Sequence, residues 1–212
     1  MPLFQDKKDA AVFVDPETGK RYQLNDVYEG AYYDTVNVAG TPDASYKVFR
    51  DLSNKNKQHT NLSVTKRVPG EHAFVLQRIG ADVLQALGST LVSASDLKEA
   101  LYNGFLEMKL GSRLIGEGPL VDFPPGRGVT GGYGSDTSAA SNHALTNGVP
   151  SMAANPVTMQ PQLVDDKKDL NAEIKFDGAS WVTSYSAMTF VAAPGIAIQV
   201  RLFGLISKPI TA

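Results

Sequence analysis

Three stretches of this chain alternate apolar and polar residues with a period of two, and that rhythm is its strongest constraint on a fold. Leu106, Met108 and Leu110 alternate with Glu107 and Lys109. Leu170, Ala172, Ile174 and Phe176 alternate with Asn171, Glu173, Lys175 and Asp177. Near the end, Ile196, Ile198, Val200, Leu202 and Ile206 share one side, with Gln199, Arg201, Phe203 and Leu205 on the other. Successive side chains of a strand point to opposite faces, so each stretch reads as a strand with one buried face.

Other segments follow the same habit. Ala11–Val14 and Arg21–Leu24 flank a Pro/Gly turn and predict a hairpin. Ala31–Val38, Tyr46–Arg50, Pro119–Phe123 and Ser180–Val191 have strand composition. Thr60, Leu62, Val64, Lys66 and Val68 alternate with Asn61, Ser63, Thr65 and Arg67, which predicts a half-buried strand. Residues 74–87 are open between two states: Val75, Ile79, Val83 and Leu87 recur at helical spacing, whereas Gly80 and the opening apolar run suit a strand. Asp96–Asn103 predicts a helix, with Asp96 as cap, Glu99 three residues on and Gly104 as the stop. Strand candidates far outnumber helices. The expected class is all-β, a single jelly-roll β-sandwich over 1–212 with one or two short helices. Residues 126–168, rich in Gly, Ser and Pro, are expected to form a long irregular loop or arm.

The composition narrows function by exclusion. Twenty Lys and Arg against 22 Asp and Glu leave a formal charge of −2, which argues against a chain whose main business is gripping a nucleic-acid backbone. With no cysteine there is neither a disulfide framework nor thiolate chemistry. His59, His72 and His143 are too scattered for a cupin-type metal site, so neither metal nor cofactor is expected. Gly126–Gly131 matches the spacing G-x-G-x-x-G but is not followed by a good helix start, and a loop is the expectation. Asp165, Asp166 and Asp169 are neutralised by Lys167 and Lys168 and read as a solvated loop. Lys55, Lys57, Lys66 and Arg67 could form a basic patch, with a solvated face as the default. No catalytic constellation assembles, so an enzyme is not expected. The apolar stretches at 189–197 and 196–206 are far short of the ~20 residues of a spanning helix, and no signal-type segment opens the chain, so a soluble protein is expected.

Two segments carry a resemblance. Phe105–Gly126 contains Phe-Leu-Glu-Met-Lys-Leu-Gly-Ser-Arg and then Gly-Pro-Leu-Val-Asp-Phe-Pro-Pro-Gly; Ile196–Pro209 contains Ile-Gln-Val-Arg-Leu-Phe-Gly-Leu-Ile-Ser-Lys-Pro. The first resembles a strand pair, and the second the closing strand, of jelly-roll capsid proteins of tailless icosahedral bacterial viruses. The resemblance implies a self-assembling shell subunit located in the virion. Its partners would be copies of itself, other virion proteins and an internal lipid layer, with no small-molecule substrate and no specific nucleic-acid binding. Many such proteins carry two fused jelly rolls; 212 residues hold one. Arg201, Phe203 and Leu205, on the second side of the last strand, are the expected assembly contacts. The competing expectation is a receptor- or carbohydrate-binding β-sandwich head, a spike, fibre or lectin, for which exposed loop aromatics would speak. Trp181, the only tryptophan, lies in a strand pattern and reads as core.

Overall fold

The computed structural model of the protein describes residues 12–14, 21–23, 28–39, 45–69, 72–85, 94–123, 127–130, 146–148, 162–164, 167–176 and 195–207. Most of them lie in strands. In chain order these are β1 (Val12–Val14), β2 (Arg21–Gln23), β3 (Tyr28–Ala39), β4 (Ser45–Val48), β5 (Ala73–Gln85), β6 (Phe105–Leu110), β7 (Arg113–Pro119), β8 (Arg127–Thr130), β9 (Thr146–Gly148), β10 (Gln162–Val164), β11 (Leu170–Lys175) and β12 (Gly195–Ser207). One helix, α1 (Ala94–Asn103), and a 3₁₀ turn at Leu120–Asp122 complete the set. The protein is an all-β sandwich of two four-stranded antiparallel sheets. One has the order β10-β5-β12-β3 and the other β4-β11-β6-β7, while β1-β2 and β8-β9 form separate two-stranded pieces.

The pairing has a simple rule. Of the eight sandwich strands the first pairs with the last (β3 with β12), the second with the seventh (β4 with β11), the third with the sixth (β5 with β10), and the middle two with each other (β6 with β7). The chain is therefore one long antiparallel hairpin, its tip at Gly111 in a left-handed conformation (φ 61°) that a side chain would strain. Alternate pairs fall in opposite sheets, joined by β5–β12 contacts in one and β6–β11 contacts in the other.

The alternating stretches supply the core. Ile196, Ile198, Val200, Leu202 and Ile206 of β12 are buried, and so are Leu106, Met108 and Leu110 of β6 and Leu170, Ala172 and Ile174 of β11, with Phe176 just beyond. They form one cluster with Tyr32, Phe74, Leu76, Ile79, Ile115 and Leu120 from the remaining elements. Each large aliphatic side chain so enclosed contributes roughly 1.5–3 kcal/mol.

Residues 74–87, open between helix and strand in the sequence, lie in β5 up to Gln85. The four-residue spacing of Ile79 and Val83 is two strand periods, so it suits a strand as well as a helix. Opposite β12, Phe203 faces Arg78 but Gly204 faces Leu76, so Gln77 is an extra residue, a β-bulge. Phe74 and Leu76 face the core before the bulge, and Ile79, Ala81 and Val83 after it. The bulge therefore leaves Val75 off the core face that Ile79 and Val83 share.

Three other expectations change. Thr60–Val68 is not a strand: it makes only isolated bridges, Asp34 to Thr60 and Val64 to Arg67. Leu62 and Val68 are buried as the alternation implies, but Val64 is exposed and Lys66 adopts φ 61°, which breaks the period. Pro119 ends β7, and the expected strand at 119–123 is the 3₁₀ turn, whose Leu120 still enters the core. Within 126–168, β8, β9 and β10 are strands, and β10 pairs with β5 as the edge of a sheet, so this segment is not irregular throughout. The hairpin β1–β2 and the helix ending at Asn103 agree with the sequence reading; the Gly104 N–H bonds the Ala100 carbonyl at 3.0 Å. Ser180–Val191, with Trp181, lies outside the described residues.

Candidate functional site

The two outer faces of the sandwich are where chemistry could be displayed, and they are built differently. On the β12 sheet, Arg201, Phe203 and Leu205 sit mid-sheet on the outward side, all half-buried. Register places Gln199 between Thr35 of β3 and Asp82 of β5, and Arg201 between Tyr33 and Gly80. These side chains are tied together. The Arg201 Nε donates to Gln199 Oε1 at 2.7 Å and forms an ion pair with Asp82 Oδ2 at 3.0 Å. The Gln199 Nε2 donates to Thr35 Oγ1 at 3.0 Å and to the Gln58 carbonyl at 3.1 Å. Phe203 lies over Gly80, where a Cβ would come within 2.9 Å of its ring, so the glycine makes room for the aromatic.

The segment following β4 seals one side of this face. Asn61 Nδ2 donates to the Ala31 carbonyl at 2.7 Å and Asn61 Oδ1 accepts from the Tyr33 N–H at 2.9 Å, while Thr60 Oγ1 donates to the Tyr33 carbonyl at 3.0 Å. The Tyr33 hydroxyl donates to the Lys57 carbonyl, and Thr35 Oγ1 to that of His59 at 2.8 Å. Unpaired backbone groups along the β3 edge are thereby used, which blunts an edge that would otherwise invite another strand. The segment is pinned from inside by Asp34. This wholly buried carboxylate accepts from Lys55 Nζ at 2.8 and 2.9 Å and from the Phe49 N–H at 2.7 Å. Burial pushes the carboxyl of Asp82 above its ordinary range; Arg201 opposes the shift without cancelling it.

The outer face of the β11 sheet is an open charge ladder. Glu173 of β11 stands between Lys47 of β4 and Glu107 of β6. Glu107 accepts from Lys175 at 2.9 Å and is in contact with Lys109, and these two hydrogen bonds hold its carboxyl down to about 2. Lys175 lies 3.9 Å from Glu173, and Glu107 raises its ammonium pKa. A cleft of about 210 Å³ opens over this ladder, lined by Lys47, Arg50, Lys66, Glu107, Lys109 and Glu173 among others.

A basic patch of Lys55, Lys57, Lys66 and Arg67, the alternative to a plain solvated face, is not brought together. Lys55 is the partner of Asp34, Arg67 pairs with Asp169 at 2.9 Å, and of the four only Lys66 lines the cleft. Lys47, Arg50 and Lys109 join it instead. Sequence could show that Lys47, beside the half-buried Tyr46 and buried Val48, points outward; it could not show which strand lies beside it. Of the histidines, His72 Nδ1 is 2.8 Å from the Tyr32 hydroxyl, His59 lies in the sealing segment, and His143 is outside the described residues, as are Asp165 and Asp166. Arg127–Thr130, inside the glycine-rich motif, is strand β8. Among the described residues no three His, Asp or Glu are grouped to hold a metal ion, and no helix is long and apolar enough to cross a membrane.

No family model matches this chain, and neither does any curated protein or solved structure.

Proposed function

We propose that this chain is a single jelly-roll shell subunit that assembles with copies of itself into an icosahedral virion. The observation that carries the reading is the nested pairing of the eight sandwich strands, β3–β12, β4–β11, β5–β10 and β6–β7, split alternately between two sheets. This nesting supports the reading, because a hairpin rolled into two Greek keys, the arrangement of viral capsid and lectin domains, would pair its strands in the same order. The two segments that resemble capsid proteins fall at the heart of it: Phe105–Gly126 contains the hairpin β6–β7, and Ile196–Pro209 contains most of the closing strand β12. A fold alone does not dictate a role, so the sequence resemblance and the topology are needed together.

Arg201, Phe203 and Leu205 remain the proposed lateral contacts, on the outward side of a central strand. Other virion proteins and an internal lipid layer are the further partners of this reading, and it includes neither a substrate nor a cofactor. A receptor- or carbohydrate-binding head is the second reading. The exposed aromatics Tyr102 and Phe105, at the junction of α1 and β6, favour it, because sugars stack on aromatic faces. Negative-stain microscopy and light scattering over a concentration series separate the two. Shells, sheets or symmetric rings support the subunit; a strict monomer that binds glycans overturns it.

A further inference from the structure

Lys47, Arg50 and Lys66 line the cleft on the β11 sheet and have no ion-pair partner among the described residues. Lys109 and Lys175 contact Glu107 and Glu173, and Glu117, opposite Glu107 in register, adds a third carboxylate that acts on Lys175; with Lys47, Arg50 and Lys66 this makes five cations against three carboxylates, a surplus of two positive charges. Glu107 stays ionised down to about pH 2, so this balance holds throughout the neutral range.

The rim that carries the free cations is also fixed. Lys66 has φ 61°, a left-handed backbone that lysine rarely adopts. Its N–H donates to the Phe49 carbonyl at 2.7 Å, and its carbonyl accepts from the Leu170 N–H at 2.7 Å. Phe49, at φ 63°, is held in turn by the buried carboxylate of Asp34. Arg50 follows directly. Two successive anchors thus set the backbone from which Arg50 and Lys66 project, and less ordering remains to be done when a ligand arrives.

We propose that this cleft is a binding site for a phosphate group. A guanidinium fork and two ammonium groups suit a tetrahedral dianion, whose oxygens can take charge-assisted hydrogen bonds from several directions at once. A single carboxylate would leave more of the charge unbalanced. The concave shape admits a phosphate that protrudes from its carrier. The site rests on its own residues and does not depend on the shell reading.

The test is calorimetric titration of the full chain with inorganic phosphate at low salt. Wild type should bind saturably. Arg50→Gln, and the pair Lys47→Gln with Lys66→Asn, should each weaken binding about tenfold or more. Asparagine is chosen at 66 because it tolerates the left-handed backbone. Arg67→Gln, whose guanidinium is tied to Asp169, should bind as wild type does. Circular dichroism checks each fold, and if one cleft variant is unfolded the other decides. A short single-stranded oligonucleotide with a 5′-phosphate and vesicles containing phosphatidic acid, each presenting a terminal phosphate that can carry two charges, then serve as carriers. Binding of either that free phosphate displaces assigns the carrier to the cleft. The proposal is overturned if folded wild type fails to bind phosphate, if binding survives in both cleft variants, or if acetate binds equally well. Carrier binding that phosphate does not displace overturns it too, because the surface would then be a diffuse polyanion patch or a membrane contact.

Discussion

Asp82 and Glu107 stand on opposite outer faces of the sandwich, each with a cation about 3 Å away: Arg201 at 3.0 Å and Lys175 at 2.9 Å. Their acidities nevertheless move in opposite directions, Asp82 up and Glu107 down to about 2. An ion pair alone therefore does not decide how a carboxylate titrates. Asp82 sits in a tight hydrogen-bonded row where the loss of water outweighs a single guanidinium. Glu107 lies on a ladder where hydrogen bonds from Lys109 and Lys175 outweigh its own loss of water. The face around Asp82 ties Gln199, Arg201 and Thr35 to one another and to the segment after β4. The face around Glu107 keeps Lys47, Arg50 and Lys66 outside any ion pair among the described residues.

The largest effect should come from breaking what both faces share, the core between them. Val200 is wholly buried on β12, with Asp34 opposite it on one neighbouring strand and Ala81 on the other. Val200→Asp places a second carboxylate beside the buried Asp34 without a cation of its own. The expected loss is several kcal/mol, enough to unfold a domain of ordinary stability of about 5–15 kcal/mol. Thermal melting by circular dichroism reads it, and a folded variant would mean the core face is assigned backwards.

Asp34→Ala comes next. It strands Lys55 and the Phe49 N–H in the interior and should cost about 3 kcal/mol, toward the low end for a broken buried pair because Lys55 keeps 18% of its side chain exposed. Hydrogen exchange should also open 56–61 ahead of the strands. If these amides stay protected, the carboxylate does not pin the segment.

A smaller effect, of opposite sign on the two faces, concerns pH. The unfolded Asp82 carboxyl loses its proton near 3.8, and the folded one only at higher pH. Stability contributed by this group is therefore highest below 3.8 and falls as pH rises through the interval above it; Asp82→Asn should flatten that fall. Glu107 behaves in reverse. Its contribution is complete above the unfolded value of 4.5 and is lost as pH drops towards about 2. Glu107→Gln should melt below wild type at pH 6 and converge with it near pH 2. Melting curves from pH 2 to 7 on both variants test the contrast, and slopes of the same sign would dissolve it.

The smallest effect on folding, and a sharp one on assembly, is expected from Leu205→Glu. Leu205 is half-buried on the outward side, so the fold should change by about 0.5 kcal/mol or less. Self-association should weaken if this face meets a neighbour, which sedimentation would register. Arg201→Glu is a poorer probe than its exposed position in the sequence pattern implies, because the new carboxylate would face Asp82 and disturb the subunit itself.

Period-two alternation determined, without any structure, that Leu106–Leu110, Leu170–Phe176 and Ile196–Ile206 are strands, and which side of each is core, because strand geometry ties parity to face. The helix was legible for a similar reason, its apolar stripe and glycine stop being local, although it begins at Ala94 and so takes Asp96 into its first turn instead of using it as the cap. Tertiary structure decided the rest. Pairing with β12 made residues 73–85 a strand, the bulge at Gln77 switched which parity of it faces the core, and the left-handed Lys66 ended an alternation that composition would have continued. Neither the pairing of Arg201 with Asp82 nor the meeting of Lys47, Arg50 and Lys66 could be read from the chain. Each joins residues from different elements, and the register between strands far apart in sequence is set by core packing rather than by local pattern.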